Sequence, residues 1–193
     1  MSSARIFDLL ERIGTLLGAE QRRCAADADL QPVHIRILDY LSRCNRFSNT
    51  PAAIAAYLLT TKGTVSQSLL VLQRKGLVTK TPDARDGRVV HLHLTNRGEQ
   101  VVQSVEQPQP WRSAWAALPK RPAAALEEGL EQLLRSLQQA NRWRTFGPCH
   151  SCRHLLVEDS ERFRCGLTQE PLEAWETRRI CQEHELPTHE PGR

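Results

Sequence analysis

The most specific chemistry in this chain is carried by four cysteines near its end, spaced Cys149-x2-Cys152-x12-Cys165-x15-Cys181. Two thiolates separated by two residues bind one metal centre without strain, and folding must gather the other two. The segment GPCHSCRHLLVEDSERFRCGLTQEPLEAWETRRICQEHE holds little apolar material. A unit that small needs a staple. Metal ligation supplies one, because binding energy becomes folding energy. Structural zinc sites usually show two C-x2-C knuckles, and only Cys149–Cys152 forms one here. Four thiolates on an asymmetric set of loops also suit a 4Fe–4S or 2Fe–2S cluster. The spacing leaves zinc and iron–sulfur open. A c-type haem is excluded, because Arg153 rather than histidine follows Cys152. His150, His154, His184 and His189 crowd the same stretch and read as solvated or outer-sphere groups. Gly166, next to Cys165, would let the backbone approach a sulfide.

The elements that must position these thiols follow. The pattern predicts a hairpin of His154–Glu158 and Arg162–Cys165 around a turn at Glu158–Ser160. It predicts a helix from Pro171 to about Glu183. Leu172, Trp175 and Ile180 would face inward, and Cys181 would come from the last turn.

A second constellation lies between Thr50 and Thr95. Thr50 caps a helix that opens on Pro51, where a missing N–H costs nothing. Ile54, Tyr57, Leu58 and Leu59 recur at helical spacing. Thr61-Lys62-Gly63 interrupts, with Gly63 expected to take the positive φ of a tight turn. Thr64 then opens a second helix with Val65, Leu69, Leu72 and Leu77 on one face, ended at Gly76. The other face offers Ser66, Gln67, Gln73, Arg74 and Lys75. Thr64, Ser66, Gln67 and Ser68 are short polar side chains suited to base edges. Lys62, Arg74 and Lys75 are cations suited to phosphates. Two strands follow, Val78–Thr81 and Val89–Leu94, joined by the turn PDARDGR. Arg88 beside Asp86 at the hairpin tip suits a narrow minor groove, with the carboxylate holding the guanidinium in place.

The run TKGTVSQSLLVLQRKGLV followed by DGRVVHLHLTNRG resembles the winged helix-turn-helix of the MarR family of bacterial transcriptional regulators. The resemblance spans Phe7 to Arg144 and is most specific over Thr61–Gly98. It implies a homodimer on a pseudo-palindromic double-stranded DNA operator, with recognition helices in successive major grooves and wings in the flanking minor grooves. It also implies a repressor released by a small signal. The C-terminal cysteines resemble those of a small group of MarR-type repressors in which four cysteines hold an iron–sulfur cluster. In that group the redox state or integrity of the cluster is the signal. The alternative is a structural zinc site, with a ligand or oxidant sensed elsewhere.

The remaining chain fits this frame. At 193 residues it accommodates one good core and an appendage. No run of 18 apolar residues exists, so no membrane span is expected. MSSARIFDLLERIG is not a secretory signal, which predicts a cytoplasmic protein whose six cysteines are thiols or metal ligands. The net charge of +4 is unevenly placed: residues 50–100 hold seven Lys/Arg and three Asp/Glu. That suits a local phosphate-binding surface. A long helix from Ala4 to Ala26 shows one apolar stripe, Ile6, Leu9, Leu10, Ile13, Leu16 and Leu17. A second helix opens at Gln31-Pro32, with Val33, Ile37, Leu38 and Leu41 inward. Cys24 and Cys44 read as small buried hydrophobes. After Thr95, a helix carries Val101, Val102 and Val105. A short one spans Trp111–Leu118, and another runs from Pro122 to about Trp143 with Leu126, Leu130, Leu133, Leu134 and Leu137. By resemblance this last helix packs on the first and on its counterpart in a partner subunit. It would also link the subunit interface rigidly to the cysteine lobe. The expected fold is mainly α with a small β-wing, a MarR-like winged-helix dimer plus a small metal-binding lobe. Residues 1–145 form the winged-helix and dimerisation domain, with a DNA-reading core at 50–98. Residues 146–186 form the four-cysteine lobe, and 187–193 form an unstructured tail. No Gly-rich nucleotide loop and no C-x3-C-x2-C motif is present, so an enzyme is not expected.

Overall fold

The computed structural model describes residues 3–105, 108–142, 144–159 and 162–187. Ser160 of the expected turn, Trp143 at the expected helix end, His189 and the tail beyond residue 187 lie outside the described residues.

The head begins with α1 (Ser3–Asp27) and α2 (Pro32–Arg43). It continues through α3 (Pro51–Tyr57), α4 (Lys62–Arg74), β1 (Val78–Pro82), β2 (Val90–Leu94) and α5 (Asn96–Val105). Each boundary has a local cause. The Thr50 hydroxyl accepts from Ala53 N–H at 3.2 Å, and Pro51 occupies the first turn. The Thr95 hydroxyl accepts from Gly98 N–H at 3.1 Å and donates to the Gly76 carbonyl at 2.7 Å. Gly76 takes φ +67° and ends α4. The expected turn at Gly63 is corrected. Thr61 is the cap, its hydroxyl accepting from Thr64 N–H at 3.1 Å, so α4 already includes Lys62 and Gly63. The chain reverses instead at Leu59, with φ +51°.

Ile37, Leu38, Tyr40, Ile54, Val65, Leu69, Leu72 and Leu92 form the fully buried centre of the head. β1 and β2 pair antiparallel from Val78↔Leu94 to Pro82↔Val90. Gly98 sits so close beneath this sheet that a Cβ would stand 2.2 Å from the Leu77 carbonyl oxygen.

α6 (Gln109–Ala116) and α7 (Lys120–Ala140) follow, and neither buries a residue within the chain. Trp111 and Trp115 stack on each other with centroids 6.0 Å apart.

The lobe is a set of short strands: β3 (Gly147–Pro148), β4 (Leu155–Val157), β5 (Phe163–Cys165), β6 (Pro171–Leu172) and β7 (Ile180–Cys181). β4, β5 and β6 form one antiparallel sheet, and β3 pairs with β7. The hairpin matches expectation, but the helix from Pro171 does not form. Glu176–Arg178 makes one 3-10 turn, Trp175 is exposed, and Cys181 comes from a strand. Among the described residues no helix is long and apolar enough to cross a membrane.

Candidate nucleic-acid interface and metal centre

α4 presents a polar face whose members differ in freedom. Lys62, Ser66, Gln67 and Arg74 are exposed. Thr64 is exposed, but its hydroxyl shares a hydrogen bond with that of Thr61 at 2.9 Å. Ser68 is corrected: it is buried, and its hydroxyl donates to the Thr64 carbonyl at 2.8 Å, so it faces the helix rather than solvent. Lys75, at the C-terminal end of α4, pairs through Nζ with Asp29 Oδ2 at 2.5 Å. That hydrogen bond and charge lower the Asp29 pKa.

The wing tip is built by two aspartates. Asp83 Oδ1 accepts from the N–H groups of Arg85 and Asp86, both at 2.8 Å. Its Oδ2 lies 2.9 Å from His91 Nε2. The hydrogen bond from His91, with the two backbone donors, draws the Asp83 carboxyl down to about 2. Asp86 takes Arg88 in a fork: Nε to Oδ1 and Nη2 to Oδ2, each at 3.0 Å. The guanidinium is thereby aimed while the side chain stays 91% exposed. Sequence reasoning missed Asp83, Asn49 and His91. His91 Nδ1 lies 2.6 Å from Asn49 Oδ1, so one imidazole joins the wing to the residue before the α3 cap. Aspartate at the head of PDARDGR was a readable signal for such a turn.

The four cysteines of the lobe line one small cavity of about 30 Å3, together with Phe47, His154, Leu155 and Leu172. Cys149 and Cys152 bracket a 3-10 turn in which Cys152 N–H donates to the Cys149 carbonyl at 2.9 Å. Cys165 closes β5 and Cys181 closes β7. Donors point at the sulfurs: Asn45 Nδ2 lies 3.6 Å from Cys149 Sγ, and Glu185 N–H lies 3.5 Å from Cys152 Sγ. Cys149 and Cys181 hydrogen-bond to each other. The pair therefore loses its first proton readily, which lowers Cys181, and holds the second, which raises Cys149. Cys44 behaves differently, since burial pushes its thiol up to about 12.

The histidines divide. His184 is buried, not solvated: its ring nitrogens meet the Thr145 and Ser151 hydroxyls at 2.7 and 3.0 Å. Burial lowers its pKa. His154 lines the cavity, and its Nε2 is buried with no hydrogen-bond partner among the described residues; Glu185 Oε2 at 3.6 Å is too far to serve. Gly166 N–H donates to the His154 carbonyl at 2.7 Å, and a Cβ on Gly166 would stand 3.1 Å from that oxygen. Among the described residues no three His, Cys, Asp or Glu side chains are grouped so as to hold one metal ion. The donor set still fits a thiolate-held group. Four thiols share one apolar cavity, N–H donors face two of them, and an unpaired imidazole nitrogen adjoins.

A helix-turn-helix with a two-stranded wing and an exposed polar face on its second helix defines a winged-helix protein. Residues 28–89, about a third of the chain, match the sequence model of the MarR family. The fold is shared with Streptococcus pneumoniae FabT, solved in complex with DNA. That chain is 25% identical, covers 72% of this chain and 99% of its own, and gives a TM-score of 0.57. S. aureus MepR, also solved with DNA, is 24% identical over 72% of this chain and 99% of its own, with a TM-score of 0.57. Comparison with curated proteins finds no match. The chain thus has the MarR-like winged-helix architecture.

Proposed function

We propose that this protein is a sequence-specific DNA-binding transcriptional regulator, a repressor that acts as a homodimer. The observation that carries this reading is the free polar face of α4 beside a wing tip whose arginine is aimed by a carboxylate. Ser66 and Gln67 read base edges in the major groove. Lys62 and Arg74 set register through phosphates, and Arg88 enters the minor groove. FabT and MepR, which share the fold, were both solved on DNA. The exposed apolar faces of α1 and α7 support the dimer.

The finer part of the proposal concerns control. Cys149, Cys152, Cys165 and Cys181 hold an iron–sulfur cluster whose redox state or integrity sets operator affinity. When bound, such a group supplies one-electron chemistry and a folding constraint. The chain's own residues orient the thiolates: Asn45 and the Glu185 N–H face their sulfurs, and His184 ties the two ends of the lobe together. The second reading is a structural zinc ion in the same thiolate set, with the signal sensed elsewhere. The Cys149–Cys152 knuckle favours it.

The test combines two measurements on protein purified without oxygen or chelator. Iron, sulfide and zinc analysis with a visible spectrum identifies the bound group. Selection from a random-sequence duplex pool identifies the DNA. Iron and sulfide, with recovered sequences carrying inverted half-sites ~34 Å apart, are expected. Zinc alone would establish the second reading, and recovery of no preferred sequence would overturn the regulator.

A further inference from the structure

The lobe meets the head chiefly along the loop Cys44–Asn49 between α2 and α3, with further contacts from Arg85 to Glu170 at 3.2 Å, from Arg179 to the Ser42 carbonyl, and from the Phe146 ring to Tyr40 and Tyr57. Asn45 is buried and works in three directions. Its N–H donates to the Ile180 carbonyl at 2.9 Å, its Oδ1 accepts from Phe47 N–H at 3.2 Å, and its Nδ2 faces Cys149 Sγ. Phe47 forms part of the cavity wall and packs into the small lobe core. Arg46 holds the buried Glu176 carboxylate at 2.5 and 2.6 Å, and also donates to the Pro171 carbonyl at 2.7 Å. The Ser48 hydroxyl accepts from Gln182 N–H at 2.8 Å, one residue past Cys181.

The same loop holds the DNA-reading parts from its other end. The Asn49 carbonyl accepts from Leu92 N–H at 2.8 Å, and its side chain donates to the Leu92 carbonyl at 3.1 Å. Asn49 Oδ1 also meets His91, and Thr50 is the α3 cap. α6 and α7, in contrast, bury nothing within the chain, although the end of α7 touches the lobe through Gln138 Nε2 and the Thr145 carbonyl at 2.9 Å.

We infer that the loop Asn45–Asn49 is an intrasubunit relay: the state of the four-cysteine site sets the position of β2 and of the α3 cap directly. The route does not pass through the subunit interface. This inference rests on the proposed thiolate-held group. Its physical basis is geometric. A bound group fixes Cys149 and Cys181, which fixes Asn45, Phe47 and Ser48. Asn49 follows three residues after Phe47's neighbour Arg46, with no flexible spacer between. Release of the thiols frees the cavity wall, and the loop then carries that freedom to the Leu92 N–H.

The experiment is amide hydrogen exchange on the metal-holding full-length protein before and after a chelator, with metal content measured on each sample. In the wild type, stripping is expected to speed exchange at residues 45–49 and at the Leu92 N–H by roughly ten-fold, about what one lost hydrogen bond allows. Asn45→Ala keeps the Leu92 bond but removes the link to Cys149; stripping should then speed exchange at Leu92 clearly less than in the wild type, and an undiminished response would overturn the relay. Should Asn45→Ala fail to retain metal, Asn49→Ala serves, since its side chain touches only Leu92 and His91 at the wing end; it should retain metal while weakening the affinity response to chelation, and an unchanged response would overturn the relay. That response is read on a duplex selected by the wild type. Faster exchange confined to residues 145–187 in metal-holding wild type would overturn the relay and leave the proposed function standing. Wild type carrying neither iron nor zinc would instead overturn the metal reading beneath it.

Discussion

Asp83 shows how a single side chain shapes the wing. Its carboxylate receives two backbone N–H groups and the His91 ring, and is held down to about 2. An ordinary aspartate titrates near ~3.9. A carboxyl whose folded value is depressed stabilises the fold above its unfolded value, and that contribution is lost as pH falls through the folded one. The wing should therefore keep its turn through mild acid and lose it only as pH falls from about 4 towards 2. A carboxyl-carbon NMR titration of Asp83 checks this; a midpoint at the ordinary aspartate value would refute the hydrogen-bond account. Ser68 teaches a different lesson at this scale. Residue type marked it as a base reader alongside Ser66 and Gln67, but its position one turn after Thr64 lets the hydroxyl return to the helix carbonyl. Polar identity was legible in the sequence, and the direction of the hydroxyl was not.

At the scale of elements, legibility followed the locality of the forces. Thr50-Pro51, Gly76 and Thr95 announce helix ends through contacts within four residues, and the head's elements stand where these signals put them. The turn at Leu59 carries no such signal: a leucine takes the φ +51° that glycine usually supplies at a helix end, closed by Thr60 N–H donating to the Ala55 carbonyl at 3.0 Å. The segment after Pro171 failed for a related reason. Leu172, Trp175 and Ile180 hint at a helix, but Ile180 bonds to Asn45 and pairs with Pro148 across long sequence separations. Such partners are invisible to periodicity, and so was the docking of the lobe on the α2–α3 loop. Gly98 offers a test at this scale. In an open helix, Gly→Ala gains roughly 0.5–1 kcal/mol. Here the added Cβ meets the Leu77 carbonyl at 2.2 Å, so Gly98→Ala should cost about 1–3 kcal/mol instead. Thermal unfolding reads the sign, with a lowered midpoint expected and a raised one counting against the close approach.

For the whole molecule, the unanswered demand is apolar surface. Ile6, Leu9, Ile13 and Leu16 on α1 are exposed, as are Trp111 and Trp115 on α6 and Leu126, Leu130, Leu134 and Leu137 on α7. An aligned stripe of this length exceeds the patches that isolated monomers usually tolerate. The two stripes lie on α1 and on the α6–α7 segment, so a second copy can bury them together and bring two α4 helices onto one duplex. Leu134, 55% exposed at the middle of the α7 stripe, is the position to probe. Leu134→Glu would place a charge in the interface, where desolvation without a partner costs several kcal/mol. Sedimentation of the wild type should give twice the 21.9 kDa chain mass, and of Leu134→Glu the chain mass alone. The control is Val157→Glu on β4, an apolar residue outside these helices that is at least as exposed, at 63%, and it should stay dimeric. A monomer contacts one half-site and about half the phosphates, so Leu134→Glu should also lose roughly half the salt dependence of DNA binding. Retention of the wild-type mass and salt slope by Leu134→Glu would remove α7 from the interface and, with it, the geometry that places two recognition helices on one operator.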